Sequence, residues 1–273
     1  MSVGAALART RAEGRAALIG YLPAGFPTVE ASIAALHAMV AAGVDVVEVG
    51  LPYSDPVMDG PTIQRATEQA LAGGARTTDT FRVVEAVAAT GVPTLVMTYW
   101  NPVERFGVHP FARRIAEAGG AGLITPDLIP DEAADWVAAS DEHDLDRVFL
   151  VAPSSTQQRI ESTVAACRGF VYATAVMGVT GARDATSTDA PTLVERTRVS
   201  ADAAGLPVGV GLGVSNGAQA AEVGAFADAV IVGSAFVRRL LYAGADHDAG
   251  TAAVAELTAD LVSGVRGPAR APA

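Results

Sequence analysis

Residues 44–64 read VDVVEVGLPYSDPVMDGPTIQ. A β-branched run closes on glycine, a loop of prolines and aspartates follows, and Pro61 opens a segment of helical character. The same strand, loop and helix unit recurs on both sides of this stretch. Strand patterns fall at residues 16–22, 44–50, 93–99, 121–125, 147–151, 170–174, 207–211 and 227–232. Helical patterns lie between or after them at 29–42, 62–72, 78–90, 110–118, 131–142, 156–166, 190–204 and 216–223. Such alternation predicts parallel strands joined by crossover helices. Eight units in 273 residues is about 34 residues each, the size of one βα repeat.

The expected architecture is therefore α/β, a single (β/α)8 TIM barrel. A doubly wound sheet is the runner-up. Against it, the first strand runs into GYLPAGFPT rather than G-x-G-x-x-G, and no acidic residue at the right distance completes a dinucleotide fingerprint. No Pro- or Ser-rich linker divides the chain, so residues 1–273 are expected to form one domain. Residues 1–14 read as an extra helix before the first strand and 249–264 as a closing helix. The last residues, 265–273, which end in RGPARAPA, read as a frayed tail.

Half of the residues are hydrophobic, and 30 acidic against 19 basic side chains give a net charge of −11. All 19 basic residues are arginine. Without a lysine amine the chain cannot form a Schiff base with a carbonyl substrate or with pyridoxal phosphate, which excludes the lysine-dependent aldolases. The single Cys167 excludes an internal disulfide and a cysteine-rich zinc site, and it fits a reducing compartment. The start, MSVGAALARTRAEGR, lacks the apolar centre of a signal peptide, and no apolar run approaches the roughly 20 residues of a membrane span. A cytoplasmic protein with no membrane and no nucleic-acid partner is the expectation. His37, His109, His143 and His247 show no ligand spacing, so no metal site is expected.

Barrel active sites lie where the strands end, which directs attention to three places. In the first, period-two alternation puts Val44, Val46, Glu48 and Gly50 on one face. Glu48 thus stands on an apolar face near its strand's end. Such a carboxyl is either a structural group paired with an arginine or a desolvated acid with a pKa raised toward neutrality; position alone favours the acid. In the loop beyond, Asp55 and Asp59 either shape turns and cap the next helix or reach the barrel mouth. The second place joins VGVGLGVSNG at 208–217 to VIVGSAFV at 230–237, two strands that run through glycine into helices near Ser215 and Ser234. Backbone N–H groups there favour an anion, and the last two strands of such barrels commonly hold phosphate. The third, residues 170–191, is a strand followed by a long loop with Gly178 and Gly181 as hinges, read as a lid. Tyr172 shares a face there with Phe170 and Thr174, as core packing or as a substrate contact.

Four segments, in order, resemble the α subunit of tryptophan synthase: EVGLPYSDPVMDGPTIQ at 48–64, GVTG at 178–181, GLGVS at 211–215 and GSA at 233–235. The similarity extends over nearly the whole chain. It implies a TIM barrel that cleaves indole-3-glycerol phosphate to indole and glyceraldehyde 3-phosphate. Glu48 and Asp59 match the family's catalytic carboxylates and Tyr172 its substrate-site tyrosine. Gly181, Gly211, Gly213, Gly233 and Ser234 fall in its phosphate site, and Thr180 matches a lid threonine that positions the aspartate. The resemblance also implies a pyridoxal-phosphate β subunit as partner in an α2β2 complex, no cofactor in this chain, and partner contacts from loops at 52–61 and 99–108. Three rivals stand beside it: a free-standing lyase, another phosphate-binding barrel such as a sugar-phosphate isomerase, and a silent barrel that only activates the β subunit.

Overall fold

The computed structural model describes residues 2–174 and 189–267. One sheet runs through it, with every strand pair parallel. Its strands are β1 (Ala17–Pro23), β2 (Val46–Gly50), β3 (Thr94–Met97), β4 (Gly122–Ile124), β5 (Asp146–Val148), β6 (Leu150–Val151), β7 (Val171–Thr174), β8 (Val208–Gly211) and β9 (Ala229–Val232). The order is β5-β4-β3-β2-β1-β9-β8-β7-β6.

The two edges of that order are one piece of chain. Only Phe149 separates β5, paired with β4, from β6, paired with β7. The Phe149 carbonyl accepts from Tyr172 N–H at 3.2 Å, so the chain changes partner at this residue and closes the ring. The expected fifth strand, 147–151, is thus one barrel position made of two pairing segments, and eight barrel positions hold nine strands.

Twelve α-helices surround the sheet among the described residues. They are α1 (Val3–Ala12), α2 (Val29–Ala41), α3 (Pro61–Ala72), α4 (Thr77–Ala88), α5 (Trp100–Phe106), α6 (Val108–Glu117), α7 (Ala134–Glu142), α8 (Gln157–Ala166), α9 (Asp189–Ala201), α10 (Gly217–Gly224), α11 (Ser234–Ala243) and α12 (His247–Val265). The expected loop at 99–108 is largely α5, a seven-residue helix stopped by Gly107 at φ 97°. Val265 ends α12 and is buried, so the frayed reading fails there; 268–273 lie outside the described residues. No described helix is long and apolar enough to cross a membrane.

Strand alternation sorts the core into two layers. Leu18, Leu22, Val47, Val49, Val96 and Leu123 face the helices. Ala17, Ile19, Val46, Leu95, Ile124, Val148, Phe170 and Ile231 fill the barrel, where Val3, Ala6 and Leu7 of α1 join them as a plug. Val44 departs from the expected face: it precedes the strand and packs in the outer layer. The plugged end is braced by aspartates at strand starts. Arg15 grips Asp45 with two 2.8 Å bonds, Asp228 accepts from Val208 N–H at 2.9 Å and pairs with Arg198 at 3.1 Å, and Asp146 accepts from Val3 N–H at 3.1 Å. Arg15 and Arg198 therefore serve the closed end.

Candidate active site

At the open end, a cavity is lined by Tyr21, Glu48, Met58, Asp59, Ile63, Met97, Pro126, Leu150, Tyr172 and Thr174, together with Gly211, Leu212, Gly213, Ile231, Gly233 and Ser234. Seven of the nine residues singled out from the sequence meet here. Thr180, Gly181 and the lid reading of 175–188 lie outside the described residues.

Glu48 projects inward from the middle of β2, only 1% exposed. Its Oε1 has no hydrogen-bond partner among the described residues, and no described arginine pairs with it. The contrast with Asp45 and Asp228 bears on the two readings of this carboxyl: among the described residues it is not an arginine-paired structural group. Burial pushes its pKa up from 4.5 to about 8, so the acid form dominates at neutral pH.

Asp59 stands at the end of the loop before α3. It does not cap that helix: the cap position is Gly60, which makes no side-chain bond, and Pro61 follows. Gln64 instead holds the Asp59 carbonyl at 2.8 Å, which leaves the carboxyl free to face the cavity. Burial raises its pKa to about 6, and a hydrogen bond from Tyr99 holds it down against that rise. The Tyr99 hydroxyl also accepts from Met58 N–H at 3.0 Å, so one phenol fixes both residues. The two carboxyls are thereby driven apart, one protonated and one mostly ionised at pH 7, the arrangement of a paired acid and base. Asp55, the other aspartate of this loop, is exposed, takes a 2.5 Å bond from the Ser54 hydroxyl and does not line the cavity.

Across the barrel, β8 and β9 end in turns whose backbone faces the same space. Gly213 has φ 81°, a conformation that favours glycine. Gly233 precedes α11, whose first N–H groups have no intrahelical acceptor and so offer an anion site next to Ser234. Ser215 does not line the cavity: it precedes Asn216, the cap of α10, and its hydroxyl and N–H both bond Gln219 Oε1. Gly211 has a second use, since a Cβ there would collide with the Tyr172 hydroxyl. Tyr172 itself is buried on the inner face of β7, packs beside Phe170 and also borders the cavity.

Tyr21 and Tyr99 went unnoticed in the sequence, although a signal for them existed. Alternation along β1 puts Tyr21 on the face of Ile19, and Tyr99 continues the row of Leu95 and Met97. Applied to every strand rather than two, the rule finds them. Among the described residues, no group of three or more His, Cys, Asp or Glu is placed to hold a metal.

A profile of the family described as tryptophan synthase alpha chain matches residues 7–266. The chain is 66% identical over 267 residues to the tryptophan synthase alpha chain of Salinispora arenicola, covering 98% of each. Its fold is similar to the structure of Mycobacterium tuberculosis tryptophan synthase, with TM-score 0.90 and 56% identity over 97% of this chain and 98% of that one. It is also similar to a chain in the tryptophan synthase complex from Pyrococcus furiosus, with TM-score 0.83 and 28% identity over 92% and 98% of the two chains. With that cavity and these relatives, the chain belongs to the tryptophan synthase alpha chain family.

Proposed function

We propose that the cavity performs the lyase reaction of this family, cleavage of indole-3-glycerol phosphate to indole and glyceraldehyde 3-phosphate, with Glu48 and Asp59 as the working pair. The observation that carries the assignment is the buried carboxyl of Glu48, whose Oε1 has no partner among the described residues, in one cavity with a second carboxyl of lower pKa. Breaking the carbon–carbon bond needs an electron sink. A chain without lysine offers no Schiff base, but the indole ring becomes a sink once C3 is protonated.

Glu48, protonated at rest, gives its proton to C3 and forms an indolenine cation. The resulting carboxylate takes the proton of the adjacent glycerol hydroxyl as the bond breaks. The bond pair returns to the ring, indole and an aldehyde leave, and Glu48 is protonated again. Ionised Asp59 accepts the indole N–H and stabilises the cation, an electrostatic contribution that is largest in the transition state. Backbone N–H groups at 211–213 and 233–234, with the Ser234 hydroxyl, hold the phosphate and so fix C3 beside Glu48. Thr180 and Gly181 would complete the cover and the phosphate site. The cycle calls on no cofactor or metal in this chain.

The partner reading is a pyridoxal-phosphate β subunit in an α2β2 complex, located in the cytoplasm. The family supports it, and so does a mixed surface on segments 52–61 and 99–108, where Val57 is 73% exposed and a groove is lined by Tyr53, Pro102 and Phe106 together with Asp55, Asn101 and Arg105. The test is indole release from indole-3-glycerol phosphate by this chain, alone and with the β subunit. Release that rises on adding the partner supports both readings. Release that is unaffected by the partner favours the free-standing lyase, and none under either condition favours the silent barrel.

A further inference from the structure

The cycle above leaves a charge unaccounted for. When Glu48 surrenders its proton, a carboxylate appears in a pocket whose described lining holds no arginine or histidine. A buried ion without a partner costs several kcal/mol, so a neutral donor must meet it.

The titratable groups around Glu48 are Tyr21 on β1, Asp59 before α3, Tyr99 beyond β3 and Tyr172 on β7. Asp59 repels a second carboxylate. The Tyr99 hydroxyl is engaged by Met58 and Asp59. Tyr172 also feels the Glu48 charge, but its hydroxyl sits over Gly211 on β8 and its strand does not pair with β2. Tyr21 remains. It is the register neighbour of Glu48 in the β1–β2 ladder, and its hydroxyl lies over Gly50, where a Cβ would collide with it. Gly50 is two residues beyond Glu48 on the same inner face of the same strand, so the phenol oxygen sits within reach of the Glu48 side chain.

We propose that the Tyr21 hydroxyl is the hydrogen-bond donor that meets the Glu48 carboxylate when that group gives up its proton, which makes Tyr21 a positioning residue for the reaction. The proposal rests on the assignment of Glu48 as proton carrier. Tyr21 donates a hydrogen bond and transfers no proton: burial, with the nearby Asp59 and Glu48, holds its own pKa well above the ordinary tyrosine value. Gly50 is required because any side chain would displace the hydroxyl, and Gly233 gives room at the other edge of the ring, since a Cβ there would lie 3.1 Å from Tyr21 Cδ1.

The test is Tyr21→Phe, which removes one atom and leaves the ring. Losing a donor to the charged form raises the Glu48 pKa, so the alkaline limb of the kcat profile moves upward, by about one pH unit for a bond worth tenfold. The expected result is that shift with kcat down about tenfold and KM within about twofold. An unmoved alkaline limb overturns the proposal, whatever happens to kcat. So does a shift confined to the acid limb, which would make Tyr21 a partner of Asp59. Glu48→Gln is run in parallel: if it keeps its turnover, the assignment of Glu48 fails, whereas an inactive Glu48→Gln beside an unmoved limb in Tyr21→Phe sinks the role of Tyr21 alone.

Discussion

A carboxyl in an apolar pocket with one oxygen unpartnered destabilises the fold whenever it is ionised. Glu48 has its pKa raised from 4.5 in the unfolded chain to about 8 in the fold. The native state therefore holds this proton more tightly than the unfolded one, and stability is full below pH 4.5 and lost progressively up to pH 8. Glu48→Gln removes that dependence. Its melting temperature is expected to gain on the wild type as pH rises from about 5 to about 8 and then to run parallel; a gap that stays constant across this range would mean that Glu48 titrates normally. Tyr99 acts in the opposite sense on Asp59. Its hydrogen bond restrains a pKa that burial has raised to about 6, so Tyr99→Phe should move the acid limb of the kcat profile upward. A limb left in place would remove Tyr99 from the site.

Elements place these groups, and two glycines show how closely they must fit. Tyr172 on β7 extends its hydroxyl over Gly211 on β8, and Tyr21 does the same over Gly50. Gly211→Ala is expected to push the Tyr172 ring into the cavity and to lower kcat/KM by about tenfold or more, since small misplacements in a reacting geometry are costly. Adding Tyr172→Phe, which shortens the ring by the colliding oxygen, should restore part of the loss; additive effects in a double-mutant cycle would contradict the contact. Glu48 and the glycine turns were legible in the sequence, because strand ends carry strong local signals in β-branched runs that close on glycine, whereas position left Asp59 open beside Asp55 and only the family resemblance singled it out. Helix α5 was not legible. Its seven residues are too few for a periodic pattern, and Gly107 at its end reads equally well as part of a loop. The use of Gly211 was equally hidden, since the residue that needs the space belongs to another strand.

Across the whole molecule, stability and chemistry occupy opposite ends of the barrel. Helix α1 closes one end with Val3, Ala6 and Leu7 against the inner layer, and Asp45, Asp146 and Asp228 brace the strands there. Leu7 is 2% exposed, and Leu7→Ala should cost about 2–5 kcal/mol in urea unfolding while kcat stays within about twofold. A large loss of kcat at unchanged stability would mean that the two ends are coupled. The count of eight units was readable from the chain, but the partner change at Phe149 was not, because pairing is a property of the closed ring and not of the residue. The absence of lysine bears on the chemistry at this scale: Arg15 and Arg198 brace aspartates at the plugged end, and the described lining of the cavity contains no basic side chain. The proposed cleavage runs on the proton of a single buried acid, Glu48. The most direct measurement of that claim is turnover of indole-3-glycerol phosphate by Glu48→Gln, with substrate affinity measured on the same preparation. Affinity within about threefold of wild type and kcat lower by at least about a hundredfold are expected if Glu48 carries the proton; a variant that binds normally and turns over within about tenfold of wild type would contradict that role.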